Sequence, residues 1–269
     1  MMLSPFHLHC TFCDGKNTPE EMILEAMRLG CPEIGFSSHA FMAHESRWGM
    51  PPDVEKKYKA EILRLKDKYS GEIKVFMGIE YDWYSDFDIS DYDYIIGSVH
   101  YIKKGDYFIP LDETADHHKA AIKEFYGGDA DALAEEYYSM VSRLYEKMGC
   151  DIVAHIDLIT KFNEREEIYT ETERYKSAAI DACTELSKKP VVFEINTGAI
   201  SRGYRTTPYP APFILDTLIG LGASLVITPD AHNKESILCR MKECAEQLES
   251  MKYPYLKSME EVLKKSRKK

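Results

Sequence analysis

The chain has 269 residues, 44% of them hydrophobic, and a formal net charge of −11. That length and apolar content suit one α/β barrel domain, and no apolar run approaches the roughly 18 residues of a membrane span. The acidic balance argues against a nucleic-acid partner, because phosphate backbones are held mainly by Lys and Arg; one small phosphate needs only a local positive field.

The order of predicted elements is regular. Short apolar runs suited to buried parallel strands occur at Pro5–Leu8, Glu33–Phe36, Lys74–Ile79, Tyr94–Val99, Ile152–Ala154, Val191–Ile195 and Leu225–Thr228. Between them lie helical stretches. Thr18-Pro19-Glu20-Glu21 is a capping box with proline at the first helical position, and the helix it opens runs to Gly30. Further helices are expected over Asp53–Lys68, Asp131–Met148, Thr172–Lys188 and Lys234–Ser250. The alternation predicts a parallel sheet covered by helices, and seven strands predict a closed (β/α)7 barrel, TIM-like but one strand short. An open doubly wound sheet is the alternative. Two stretches, 38–52 and 101–130, are long excursions after strands, where function concentrates. No linker or repeat divides the chain, so 1–269 is expected to form a single domain.

No basic and then apolar leader opens the sequence. The seven cysteines (Cys10, Cys13, Cys31, Cys150, Cys183, Cys239 and Cys244) are odd in number and irregularly spaced. A reducing cytoplasm with free thiols is the expected setting. Cys10 and Cys13 form a C-x-x-C with no second pair, so they read as ordinary thiols.

Metal-binding residue types recur where the strands end. His7 and His9 close the first, His39 follows the second, Glu80 ends the third, His100 the fourth and His155 the fifth. Glu194 and Asn196 end the sixth; Asp230 and His232 follow the seventh. In a parallel barrel these ends share the C-terminal face. H-x-H and D-x-H each put both side chains on one side of a strand, since the side-chain period is two. Six of the nine histidines occupy such ends; His44, His117 and His118 do not. One buried histidine is usually a satisfied core residue. Six at corresponding positions point to a metal centre at the mouth of the barrel.

The segments "HLHCTFCDG", "GFSSHA", "GIEYDW", "GSVHY", "VAHIDL", "EINTGAISRG" and "TPDAH" occur in order between residues 7 and 232. On these the chain resembles the polymerase and histidinol phosphatase (PHP) family of metal-dependent phosphoesterases, and most nearly its histidinol-phosphate phosphatase branch. The resemblance implies a seven-stranded distorted barrel with three divalent metal ions at its C-terminal face. It implies His7, His9, Glu80 and Asp230 around the first ion, with Glu80 bridging to a second held by His100 and His155. It implies His39, His232 and Asp14 around the third. Asp14 departs from relatives that carry histidine there. The mixed imidazole and carboxylate donors suit zinc, iron or manganese alike.

The activity the resemblance implies is hydrolysis of a small phosphate monoester, L-histidinol phosphate, by in-line attack of a metal-bridging hydroxide. Glu80 would set the metal spacing, and Asp230 or a metal-bound water would protonate the leaving alkoxide. For the phosphoryl oxygens the candidate substrate-binding residues are Arg202, in the glycine-flanked loop after the sixth strand, then Arg205, Asn196 and Arg47. The 101–130 excursion, with Tyr101, Tyr107, Asp112, Glu113 and Asp116, is expected to form a lid or wall for the substrate's imidazole and ammonium groups, a solvated surface insertion being the alternative. The competing readings are a phosphoesterase of the same family acting on nucleotides or oligonucleotide ends, and a non-catalytic metal-binding domain. Neither a membrane partner nor an oligomeric state is implied.

Overall fold

The computed structural model describes residues 2–45 and 47–267. Its strands are β1 (Glu33–Phe36), β2 (Lys74–Asp82), β3 (Tyr94–Ser98), β4 (Tyr101–Lys104), β5 (Tyr107–Pro110), β6 (Ile152–Val153), β7 (Val192–Asn196) and β8 (Ser224–Thr228). Six of them form one parallel sheet in the order β1-β2-β3-β6-β7-β8. The sheet strands are almost wholly buried, as expected of a parallel sheet with covered faces.

The seventh stave is not a regular strand. Residues 5–9 run extended across the gap between the two sheet edges. Gly35 and Ser37 donate to the carbonyls of Pro5 and Leu8 on one side. On the other, His9 donates to the carbonyl of Ala231, and Ala231 donates to that of His7. Farther down, the free edge of β8 pairs with Leu256 instead. The barrel is therefore distorted as expected, with one stave reduced to a few hydrogen bonds. Tyr94 fills its interior, its hydroxyl donating to the carbonyls of Phe6 and Phe36. The ring is admitted by Gly35 and Gly78, where an added Cβ would stand 2.5 and 2.3 Å from Tyr94 atoms.

Most predicted helices form. Thr18 caps Pro19–Arg28 with the full capping box, and Thr172 caps Glu173–Ser187. Two expected helices are shorter. Asp131–Met148 divides into Ala130–Val141 and Leu144–Met148. There the Ser142 hydroxyl and Arg143 Nε both donate to the Ser139 carbonyl, competing with the helical ladder. Of Lys234–Ser250, only Met241–Ser250 is α-helical, because Arg240 adopts a left-handed backbone (φ 57°). The 101–130 excursion is ordered: the β4–β5 hairpin leads into a helix, Ala115–Phe125, capped by Thr114. All seven cysteines are free. No helix of the described residues is long and apolar enough to cross a membrane.

A helix not expected from the sequence, Met259–Ser266, seals the bottom of the barrel. Met259 and Val262 join a buried cluster with Phe6, Tyr94, Ile152 and Val226. Polar anchors sit at the N-terminal ends of the strands. The Met259 amide donates to Glu33, while Ser266 and Arg267 donate to the Asp151 carboxylate, which also accepts the Ile95 amide. Asp151→Ala should strip a buried amide of its acceptor and release the helix. Urea unfolding should show a loss of about 3 kcal/mol; a change below about 0.5 kcal/mol would mean the helix is held by its apolar face alone.

Candidate metal centre

The C-terminal ends of the staves bring the predicted ligands together. His7 and His9 project from the extended segment. Glu80 lies two residues before the end of β2, level with His39 in the segment that follows β1, to which it is bridge-paired. His100, His155 and the Asp230–His232 pair follow β3, β6 and β8. The Glu80 carboxylate is the hub. Its Oε2 lies 2.9 Å from His39 Nδ1, 3.3 Å from His7 Nε2 and 3.4 Å from His9 Nε2. Its Oε1 lies 3.2 Å from His155 Nε2 and 3.4 Å from His100 Nε2. Asp230 Oδ1 is 3.4 Å from His9 Nε2 and 3.9 Å from His7 Nε2. Asp14 lies 3.2 Å from His232 Nε2 and 3.8 Å from His39 Nε2.

Three overlapping groups of donors emerge, each with ligand atoms within 4.8 Å of one another: His7, His9 and Asp230; His39, Glu80 and His100; and His9, Asp14, His39 and His232. The first holds three of the four residues expected around one ion, without Glu80, and the third adds His9 to the expected His39, His232 and Asp14. The second draws in His39, whose two ring nitrogens face Glu80 and Asp14. His155 meets Glu80 Oε1 and stands in none of the three groups.

These residues fit cations. His7 Nε2, His9 Nε2 and Glu80 Oε2 are buried with no hydrogen-bond partner, though they face one another. Polar atoms left so cost about 1–3 kcal/mol each. A shared metal ion would satisfy all three at once. The carboxylates draw positive charge to this centre: burial lowers His7, His39 and His100, yet Glu80 and its fellow carboxylates raise all three above the ordinary histidine value. Burial opposes ionisation of Glu80 and Asp230, yet both stay well below the ordinary carboxyl range, Glu80 through His39, His7 and His100, Asp230 through Arg202 and His7. Burial, reinforced by His232 and His39, pushes His9 well below the usual histidine value and keeps it an uncharged donor.

Outer partners orient the rings, as metal-bound imidazoles require. Glu194 Oε1 is 2.5 Å from His7 Nδ1, and its Oε2 accepts the His155 amide. Asp82 Oδ2 accepts the His100 amide and lies 3.2 Å from His100 Nδ1. Cys13 Sγ lies 3.6 Å from His9 Nδ1. Asp82 was findable: E-x-D on one strand puts both carboxylates on one face. Glu194 is 187 residues from His7 in sequence, and nothing local marks that pairing.

Above the cluster opens a pocket of about 210 Å³, lined by four of the centre's histidines with Trp48, Asp112, Leu158, Lys161, Arg202 and Tyr204. Arg202 reaches this wall as expected. Its Nη2 donates to Asp230 Oδ2 at 3.1 Å, and its Nη1 donates to the Asp230 carbonyl at 3.0 Å. The other three substrate candidates are not brought to the pocket. Asn196 is fully buried, donating to Glu194 and accepting the Gly198 amide. Arg205 is buried to one side, over the Tyr209 ring and donating to Thr160. Arg47 is 65% exposed and is spent on Glu45 and Glu113. Lys161, which no motif singled out, lines the pocket instead, carried there by the 3₁₀ turn Leu158–Thr160 after His155.

A family model for the PHP domain matches residues 5–198. The chain belongs to the PHP domain family. Among curated proteins, the histidinol-phosphatase of Bacillus subtilis is 25% identical over 249 residues, covering 84% of this chain and 92% of its own. Among solved structures, a Listeria monocytogenes protein superposes with a TM-score of 0.75 at 20% identity, covering 89% of this chain and 99% of its own. Histidinol phosphate phosphatase of Lactococcus lactis, solved with zinc, L-histidinol and phosphate, superposes with a TM-score of 0.70 at 18% identity, covering 94% of this chain and 95% of its own. These superpositions match the distorted α/β barrel to that of the PHP domain.

Proposed function

We propose that this PHP-domain protein is a metal-dependent phosphomonoesterase that hydrolyses L-histidinol phosphate to L-histidinol and phosphate. The observation that carries the reading is one pocket with Glu80, Asp230 and four histidines at its floor, Glu80 facing the unsatisfied nitrogens of His7 and His9 beneath, and two cationic side chains, Arg202 and Lys161, at its wall. The relatives named histidinol-phosphatase, matched over nearly their whole length, supply the substrate. The metals, three divalent ions in this reading, would be held by His7, His9, Asp14, His39, Glu80, His100, His155, Asp230 and His232. When bound, they supply Lewis-acid charge for the phosphoryl oxygens and lower the pKa of a water.

The chain's own residues do the remainder. Arg202 and Lys161 offer N–H donors where phosphoryl charge accumulates. Arg202 also fixes the orientation of Asp230. Asp230 is ionised, so it meets the reaction with an acceptor oxygen and not a proton. In this reading Asp230 would take the proton of the attacking water and return it to the leaving alkoxide. Trp48, packed edge-on against His39 at 4.4 Å between ring centroids, narrows water access to the cluster.

The test is phosphate release by purified protein supplied with manganese or zinc. L-histidinol phosphate should be turned over at least tenfold more efficiently (kcat/KM) than any nucleoside monophosphate. Preference for nucleotides would replace the reading with the nucleotide phosphoesterase alternative, and no release from either would leave a metal-binding domain.

A further inference from the structure

Four carboxylates line the pocket: Asp14, Glu80, Asp112 and Asp230. Three of them belong to the groups of metal-ligating donors; among the described residues Asp112 belongs to none. Its position is nevertheless fixed with care. The Leu111 amide donates to the carbonyl of His100 at 2.9 Å, tying the segment directly to the centre. The Leu111 carbonyl accepts from Nε2 of the fully buried His118 at 2.8 Å. The Asp112 carbonyl accepts from Lys161 Nζ at 2.6 Å.

The His118 ring is itself locked. Its Nδ1 lies 2.9 Å from the Tyr169 hydroxyl, and Tyr169 is held through its backbone by both ends of the Asn163 amide. Burial lowers the His118 pKa to about 4. The ring is thus neutral near pH 7, with Nε2–H donating to Leu111 and Nδ1 accepting from Tyr169. Three hydrogen bonds from three different elements hold two consecutive residues. The Asp112 side chain, 27% exposed and 3.8 Å from Lys161 Nζ, then faces the pocket.

We propose that Asp112 is the specificity-determining residue of this site, its carboxylate receiving the ammonium group of a 2-aminoalkyl phosphate. The inference rests on the phosphatase reading above and names the residue that recognises the substrate's amine. Chemistry sets the distance. In such an ester the nitrogen is only three bonds from the bridging oxygen, so its partner must stand beside the metal cluster and not at the pocket rim. Asp112 is one residue from a backbone bond to His100. The other three carboxylates are committed to imidazoles, and Lys161 beside Asp112 favours its ionised form. An ammonium–carboxylate pair in a partly enclosed site discriminates against a neutral group of the same size, because the carboxylate loses its partner when the wrong substrate binds.

The experiment measures kcat/KM of the metal-loaded protein for L-histidinol phosphate, 2-aminoethyl phosphate and the uncharged propyl phosphate. In Asp112→Asn, the preference for the amine-bearing esters over propyl phosphate should fall at least tenfold, mostly through KM, with metal content retained. Asp112→Glu, which keeps the charge but displaces it, should fall between. If D112N does not fold, D112E carries the test, with a fall of at least threefold expected. Tyr169→Phe, which unlocks His118, should lower the same preference by a smaller factor. An unchanged preference in the folded Asp112 variants, or equal losses on all three esters, overturns the assignment and leaves the phosphatase reading standing. A wild-type protein with no preference for the amine-bearing esters overturns the assignment alone; no phosphate release from L-histidinol phosphate overturns both.

Discussion

Replacing Glu80 with glutamine should abolish turnover, lowering kcat by at least a thousandfold, equivalent to about 4 kcal/mol of transition-state stabilisation. The substitution keeps the shape of the side chain and removes only its charge and one acceptor oxygen. Glu80 lies within 3.4 Å of five imidazoles, three at one oxygen and two at the other. Its carboxylate meets members of all three groups of candidate ligands. A glutamine would turn an amide NH₂ toward ring nitrogens that need an anionic or metallic partner, and it cannot bridge two cations. Metal content should fall with activity, to one ion per chain or fewer by elemental analysis, while circular dichroism stays that of the wild-type fold. A variant that kept a full complement of metals and a kcat within tenfold of wild type would show that Glu80 is not the hub.

Much of this centre was legible in the sequence because its geometry is repetitive. A strand's side-chain period of two makes H-x-H and D-x-H readable as paired ligands, and a parallel barrel converts strand ends into a common face. His7, His9, His39, Glu80, His100, His155, Asp230 and His232 follow from those two rules, and the structure does bring them together. Depth within the barrel was not legible. Glu194 and Asn196 also sit at a strand end on the inward face, but lower, so they orient other side chains and do not meet the pocket. Which arginine reaches the wall was equally hidden. Arg202 and Arg205 are three residues apart on one loop, and only a long-range partner decides between them, Asp230 for the first and Thr160 with the Tyr209 ring for the second. Lys161 was missed because a 3₁₀ turn carries no periodic signature. The bottom of the barrel was missed because Met259 and Val262 look like any amphipathic tail until their partners at Phe6, Tyr94 and Val226 are known.

Arg202→Ala should lower kcat/KM for L-histidinol phosphate by at least a hundredfold, and Arg202→Lys by at least tenfold. The residue has two tasks. Its planar fork donates to the Asp230 carboxylate and carbonyl, and its Nη1 stands 2.8 Å from His232 Nδ1, so it braces the strand-end turn that carries two candidate ligands. The Asp230 backbone needs bracing, because it adopts a left-handed conformation (φ 43°) uncommon for a residue with a side chain. Its second task is at the pocket wall, where its remaining N–H groups are available to a phosphoryl oxygen. Lysine supplies the charge but not the fork, so it can serve one task at a time. The two losses separate in measurement. Failure to brace Asp230 should appear as weaker metal binding, read by titrating activity against added manganese. Failure to hold phosphate should appear as a raised inhibition constant for inorganic phosphate at saturating metal. Arg202→Lys should show the second effect more strongly than the first, because an ammonium still pairs with Asp230 but cannot also reach the phosphoryl group. Unchanged phosphate inhibition in both variants would confine Arg202 to bracing and would leave Lys161 as the cation that meets the substrate.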